Sequence, residues 1–315
     1  DPPPGPVHLN FPFRDPLAPI VVEGDVPAGL APPRPPAYTP GLVAPDEAVV
    51  ERLRAAVEGR RTLIMAGPLD HPRFPTAVVR LADKGAFPVV ADPLSQLRAG
   101  HHDRSRVVTV GDSLARSGAI DAKLRPEAVL RFGAAPTSKE LTNWLAGHSE
   151  IPQIVVDDCE WRDPASSATS MIRSDPAILA LRLAETMAPS PASWSEAWIE
   201  AERDTRSALD NSVGFPSEPG VVKALGASIP GGSLLYLASS MPVRDADMFF
   251  PSIDRPVRFL ANRGANGIDG FVSSGLGAAA TGQQVFMLAG DLSVLHDLTA
   301  LGTAANSCST RVTVT

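Results

Sequence analysis

Short, near-continuously apolar runs separated by helix-period segments dominate this chain. The runs are Thr62–Ala66, Phe87–Ala91, Ala128–Phe132 and Ile154–Val156, then Leu234–Ala238, Val257–Leu260, Val285–Leu288 and Val312–Val314. A strand that is apolar at nearly every position needs cover on both faces. That requirement belongs to parallel sheets with helices on each side. Helical spacing fills the intervals, most clearly over Thr76–Lys84, Ser138–Ala146 and Ala177–Met187. The alternation predicts an α/β fold made of doubly wound parallel sheets.

At 315 residues the chain has the length of about two domains. Residues 1–40 are dense in proline, which fixes φ and removes backbone donors, so they read as extended linker. The exception is Gly5–Phe13, which reads as a short strand. A first compact unit spans 41–190 and opens with a helix over Asp46–Glu58, stopped by Gly59. Residues 191–215 form a connecting helix over Ser193–Asn211, with Trp194 and Trp198 on one face. A second unit spans 216–315. It begins with a helix at Val221–Ser228 and carries a small-residue helix at Ile268–Thr281, whose Gly275 and Gly277 permit close approach to the sheet. No internal repeat is evident.

Composition narrows the function classes. No apolar run reaches the ~18 residues that span a bilayer, and the Asp-Pro-Pro-Pro-Gly start has no signal-peptide pattern. A cytoplasmic location without membrane insertion is expected. The net charge of −7 and the lack of a basic stripe argue against nucleic acid. Cys159 and Cys308 form neither a metal motif nor a disulfide framework. There is no Ser-His-Asp triad, P-loop or zinc spacing. His8 falls in the first predicted strand, and His296 reads as a packing or cap residue.

The most informative chemistry lies late in the chain. Ala289-Gly-Asp-Leu-Ser293 follows the strand Val285–Leu288 and opens a helical segment. Gly290 lets the backbone approach a ligand closely, and helix N-terminal amides suit an anion. A carboxylate beside a phosphate needs a bridging cation, and Mg²⁺ uses one or two carboxylates plus phosphate oxygens. On the residues alone, Asp291 is either such a ligand or a helix N-cap.

Read together, Arg263-Gly-Ala-Asn-Gly-Ile-Asp-Gly270 and Gly290-Asp-Leu-Ser293 resemble the cofactor domain of thiamine-diphosphate (ThDP) enzymes. Within that superfamily the wording resembles the 2-succinyl-5-enolpyruvyl-6-hydroxy-3-cyclohexene-1-carboxylate synthases of menaquinone biosynthesis. Gly5-Pro-Val-His-Leu-Asn-Phe-Pro12 is similar to the string that closes their pyrimidine-binding domain. The resemblance implies a central α/β domain and a partial ThDP diphosphate-binding domain here. The pyrimidine domain, with its activating glutamate, and the C-terminal end are expected to be missing, so this chain alone is expected to be inactive.

The resemblance also implies roles for residues. Asp291 would bind Mg²⁺, with Gly290 and Leu292 near the diphosphate and Ser240 near the cofactor. Ile268 would sit under the cofactor and impose its V shape, which brings reacting groups together. Arg244 and Arg263, each just past a strand's C-terminal end, would bind substrate carboxylates, for which the planar fork of arginine is suited. Ser239 shares the first of these loops. Lys139 would reach the substrate from the central domain. Its neighbour Glu140 departs from the family pattern, as does Ala304–Ser309.

The implied reaction is a ThDP- and Mg²⁺-dependent transfer. 2-Oxoglutarate loses CO₂, and the succinyl carbanion adds to isochorismate, with the cofactor carrying the carbanion chemistry. An active site shared between subunits implies a homo-oligomer. Two alternatives stand beside this. One is another ThDP carboligase or decarboxylase, such as an acetolactate-synthase-like enzyme. The other is a non-catalytic anion-binding module built on the cluster Arg98, His101, His102, Asp103, Arg104 and Arg106. That cluster reads as a solvated basic loop, or as a regulatory anion pocket with Arg131; a metal site is disfavoured.

Overall fold

The computed structural model describes residues 9–15, 37, 39, 41–159, 161–264 and 267–305. Two compact units divide the chain, Asp1–Leu42 and Val43–Thr315. In the first, Leu9–Phe13 are exposed and form no strand, against the sequence expectation; only the Phe11 and Phe13 rings stack, at 6.3 Å. Residues 5–8, including His8, lie outside the described residues, as do Val312–Val314 and Cys308.

The second unit opens with helix α1 (Glu47–Val57), strand β1 (Thr62–Ala66), α2 (Phe74–Gly85), β2 (Val89–Ala91), β3 (Val107–Val108), α3 (Gly111–Arg116) and α4 (Ala119–Lys123). Then follow β4 (Ala128–Phe132), α5 (Lys139–Gly147), β5 (Gln153–Asp157), β6 (Ser170–Arg173), α6 (Pro176–Thr186) and the long α7 (Ala192–Ser212). Helix starts are capped where the sequence allows: Asp46 accepts the Val49 amide, Ser138 that of Leu141 and Asp175 those of Ala177 and Ile178.

The strands form a six-stranded parallel sheet in the order β3-β2-β1-β4-β5-β6. Apolar layers cover both faces. Val50, Phe74, Leu81 and Leu183 lie in one, and Leu114, Leu145, Trp194 and Trp198 in the other. The order reverses between β1 and β4, where open α/β sheets often hold ligands. Here the chain's own backbone fills that point. A Cβ on Gly67 would lie 1.8 Å from the Ala134 carbonyl oxygen, and the Ala134 amide donates to Pro68 O at 3.1 Å.

The remaining elements are α8 (Glu218–Ser228), β7 (Leu234–Leu237), α9 (Met241–Phe249), β8 (Arg258–Ala261), α10 (Phe271–Ala279), β9 (Val285–Leu288), α11 (Asp291–His296) and α12 (Ala300–Ala305). They build a parallel three-stranded sheet, β8-β7-β9. Two expectations are corrected here. The segment Ala238–Arg244, read as a loop, turns into α9 after Ser240. The helix read from Ile268 to Thr281 begins only at Phe271, because Gly270 stands at φ +67 before it. Gly275 does lie against Met287, whereas Gly277 is exposed. Among the described residues no helix is long and apolar enough to cross a membrane.

Candidate active site

All three strands of the smaller sheet run parallel, so their C-terminal ends share one rim. Ser239 and Ser240 follow β7, Arg263 and Ile268 follow β8, and Gly290, Asp291 and Leu292 follow β9. The cofactor-binding residues anticipated from sequence therefore come from three loops on one edge. Arg244 belongs to the same rim, in the first turns of α9 rather than in a loop.

Asn262, which the sequence reading passed over, organises this edge. Its carbonyl oxygen accepts from Ser239 Oγ at 2.7 Å, and its Oδ1 accepts from Tyr236 Oη at 2.5 Å. Ser239 is thereby 5% exposed and engaged in holding the loop. Gly267 closes the turn at φ +86, where a Cβ would come within 2.4 Å of both Asn262 O and Ser239 Oγ. No side chain fits there, and the left-handed backbone adds its own penalty for any other residue. Asn262 lies next to the Arg-Gly string and could have been found by asking what anchors it.

Ser240 stands at φ +76 and ψ −132 at the start of α9, with an exposed side chain. A non-glycine residue held in this region stores strain, and such strain clusters at functional sites. Arg244 and Arg263 are both exposed. Arg263 borders a cleft of about 360 Å³ whose wall includes Leu94, Asp157, Arg162 and Ala261. Ile268 is half-buried. Ala265 and Asn266 of the string lie outside the described residues.

Asp291 is the first residue of α11, with Gly290 as the cap position. Its side chain does not cap the helix in the usual way; among the described residues, Oδ1 accepts only from the adjacent Leu292 amide, at 2.8 Å. The carboxylate is exposed, and none of the described residues lies within 4 Å of where a Cβ on Gly290 would be. Leu292 is 67% exposed. His296 closes the same helix and pairs with Asp269 at 3.2 Å, an exposed contact across 27 residues rather than the packing or cap role read from sequence.

Lys139 is exposed at the first position of α5, and Glu140 pairs with Arg116 at 3.6 Å. The basic cluster is not one pocket. Arg98, read as part of a solvated loop, is 1% exposed and bound to Asp247. Arg104 bonds to the carbonyls of Gly100 and His102, and Arg106 donates to Ser195 Oγ at 2.6 Å. Arg131 is buried, with Asp163 at 3.0 Å and Gln153 at 3.3 Å. These guanidinium groups are directed to separate internal acceptors. His101 pairs with Asp254 and His102 contacts Leu97 O, so the two rings also face different partners.

A buried carboxylate cluster was not anticipated. Asp92, Arg98, Ser138 and Asp247 line one cavity of about 10 Å³. Burial pushes the Asp247 carboxyl up to about 7, with Arg98 opposing the rise and Asp92 and Asp112 adding to it. Burial likewise raises Asp92, against amide hydrogen bonds from Thr137 and Leu94.

No family model matches the chain. Curated relatives do. A 2-succinyl-5-enolpyruvyl-6-hydroxy-3-cyclohexene-1-carboxylate synthase of Geobacillus kaustophilus is 46% identical over 305 residues, covering 94% of this chain and 52% of the relative. The synthase of that name from Geobacillus thermodenitrificans is 42% identical over 308 residues, covering 95% and 52%. The one from Chloroflexus aurantiacus is 39% identical over 311 residues, covering 94% and 52%. The chain thus spans about half the length of the curated relatives it matches. Identity at this level runs along nearly the whole chain, which is similar to about half of these 2-succinyl-5-enolpyruvyl-6-hydroxy-3-cyclohexene-1-carboxylate synthases.

Proposed function

We infer that this chain supplies the central domain and the diphosphate-binding part of a ThDP- and Mg²⁺-dependent synthase of menaquinone biosynthesis. The observation that carries the reading is the shared rim. Ser240, Arg263, Ile268, Gly290 and Asp291 come from three separate stretches of sequence, and the parallel sheet β8-β7-β9 brings their loops to one edge. Carboxyl ends of parallel strands are where such sheets hold ligands.

The residues suit the group. Asp291 offers an exposed carboxylate of which, among the described residues, one oxygen is engaged, by its neighbour's amide. Open space around Gly290 admits a diphosphate close to the backbone. When bound, ThDP supplies the carbanion chemistry by which 2-oxoglutarate loses CO₂ and its four-carbon remainder is joined to isochorismate. The chain's own part is to bind and orient. Arg244 and Arg263 offer bidentate partners for substrate carboxylates, and Lys139 adds a point charge from α5. Both substrates carry carboxylates, which suits the two exposed arginines at one edge. Self-association and a cytoplasmic setting belong to the same reading.

The test uses the chain extended to the full length of its relatives. Isochorismate consumption is followed with ThDP, Mg²⁺ and 2-oxoglutarate present, and then with each omitted in turn. Activity should need all of them, and Arg263→Ala should lower kcat/KM by about a hundredfold or more, the scale of a lost charge-assisted contact in a transition state. A folded, ThDP-binding protein that leaves isochorismate untouched would discard the substrates and move other carboligases to first place.

A further inference from the structure

The cavity cluster lies between the two elements that bear Lys139 and Arg244. Arg98 follows β2, and its guanidinium crosses to α9. Nε donates to Ala91 O at 2.8 Å, and Nη1 donates to Ala246 O at 3.1 Å and Asp247 O at 2.5 Å. Nη2 meets Asp247 Oδ1 at 2.5 Å. Arg244 stands three residues before Asp247 on the same helix, so whatever fixes Asp247 fixes the base of Arg244.

The other side of the cavity is built the same way. Asp92 accepts the Thr137 amide at 2.6 Å and the Leu94 amide at 2.8 Å. Ser138 donates to Asp112 Oδ1 at 2.6 Å and accepts the Leu141 amide at 3.1 Å. These bonds set the N-terminus of α5, where Lys139 stands. Asp92, Ser138, Arg98 and Asp247 then meet around one small cavity.

Stability alone does not explain a guanidinium in this place. A buried ion pair is often matched or bettered by apolar residues of equal volume, whereas its fixed geometry can specify one arrangement. Arginine offers donors in a rigid fork, and here they reach β2 and α9 together. We propose that Arg98 is a positioning residue for the candidate substrate site, setting the spacing between Arg244 on α9 and Lys139 on α5. The proposal rests on the substrate roles inferred above for those two residues.

The experiment compares the full-length enzyme with Arg98→Lys and with the double variant Arg98→Met, Asp247→Leu, which keeps apolar packing and removes the fork. Apparent KM for the carboxylate substrates should rise about tenfold in both, with kcat within about threefold, since misplacement of binding groups acts first on orientation. The double variant should melt close to the wild type. Amide exchange should quicken in Met241–Phe249 and Lys139–Gly147 together. An active enzyme whose KM is unchanged in the variants overturns the proposal, as does a loss of activity that only tracks a loss of folded protein. A wild type without synthase turnover sinks the substrate reading instead. Exchange then decides the linkage: unchanged rates at α5 when Arg98 is replaced overturn it.

Discussion

Asp247 holds its proton unusually tightly because it is buried beside two further carboxylates, Asp92 and Asp112, with Arg98 as the nearest compensating charge. Arg206 adds a second, more distant cation, itself lowered chiefly by burial. A carboxyl raised from 3.8 to about 7 means that the folded chain keeps a proton the unfolded chain has released. Its contribution to stability is therefore full at low pH and is lost as pH rises through about 7. The slope over that window is at most about 1.4 kcal/mol per pH unit. Asp247→Asn keeps an acceptor for Arg98 but cannot titrate. Urea midpoints measured between about pH 5 and pH 8 should fall less steeply in Asp247→Asn than in the wild type, the remaining slope being set by Asp92 and Asp245, both raised by burial, against His102, lowered by it. Parallel curves would refute the assignment. At this scale the sequence was a poor guide. Arg98 sits among His101, His102, Arg104 and Arg106, so composition alone made it a surface cation. Its burial depends on α9, nearly 150 positions later, closing over it. The rim residues were legible because they come as strings whose spacing survives in the fold.

At the scale of elements, β8 shows how an exposed strand edge is managed. One side pairs with β7; on the other, Gln96 takes the place of a strand. Its Oε1 accepts from the Phe259 amide at 2.9 Å, and its Nε2 donates to Phe259 O at 2.8 Å. Unpaired edges invite association, and this side chain closes one. Gln96 itself adopts φ +64, a conformation that costs a non-glycine residue about 1–2 kcal/mol. Alanine bears the same backbone cost, so Gln96→Ala should lower stability by about 1–3 kcal/mol through the lost hydrogen bonds alone, while sharply accelerating exchange of the Phe259 amide. A Phe259 amide as protected as in the wild type would show that β8 does not rely on Gln96. Longer elements were readable within a few residues, because apolar spacing and caps such as Ser138 and Asp175 mark them. β3 and β6 were not. β3 has two residues, and β6 lies at the sheet edge with exposed and half-buried positions, so neither shows a continuous apolar run. α9 could have been found from Pro242 at its second position, a start signal, followed by the buried Val243, Ala246 and Phe250.

At the scale of the whole second unit, the two sheets differ in how completely they are covered, and this sets where the molecule should open first. Every residue of β1, β4 and β5 is buried. β9 is half-exposed along its length and carries Met287 at 37% exposure, with Leu292, Leu295 and Leu298 exposed beyond it. The smaller sheet is tied to the larger by polar links, Arg98 to Asp247, Gln96 to Phe259 and Arg258 to Asp70, and by Leu94 and Ala99, which share an apolar cluster with Leu235 and Phe259. None of these was visible in the sequence, since each joins positions far apart and carries no periodicity. The parallel sense and the strands buried on both faces were visible, because double-sided burial leaves its mark on composition, whereas the count fell short by β3 and β6. Local opening free energies follow buried apolar contact. Amide exchange of the chain should therefore proceed in order, with β9 fastest, β7 and β8 intermediate, and β1 and β4 slowest. Arg98→Met should bring β7 and β8 closer to β9 and leave β1 and β4 unchanged, because the larger sheet does not need the link to remain covered on both faces. Uniform protection across both sheets, or equal loss in both when Arg98 is replaced, would mean that the unit opens as one body and that its candidate site has no looser half to move.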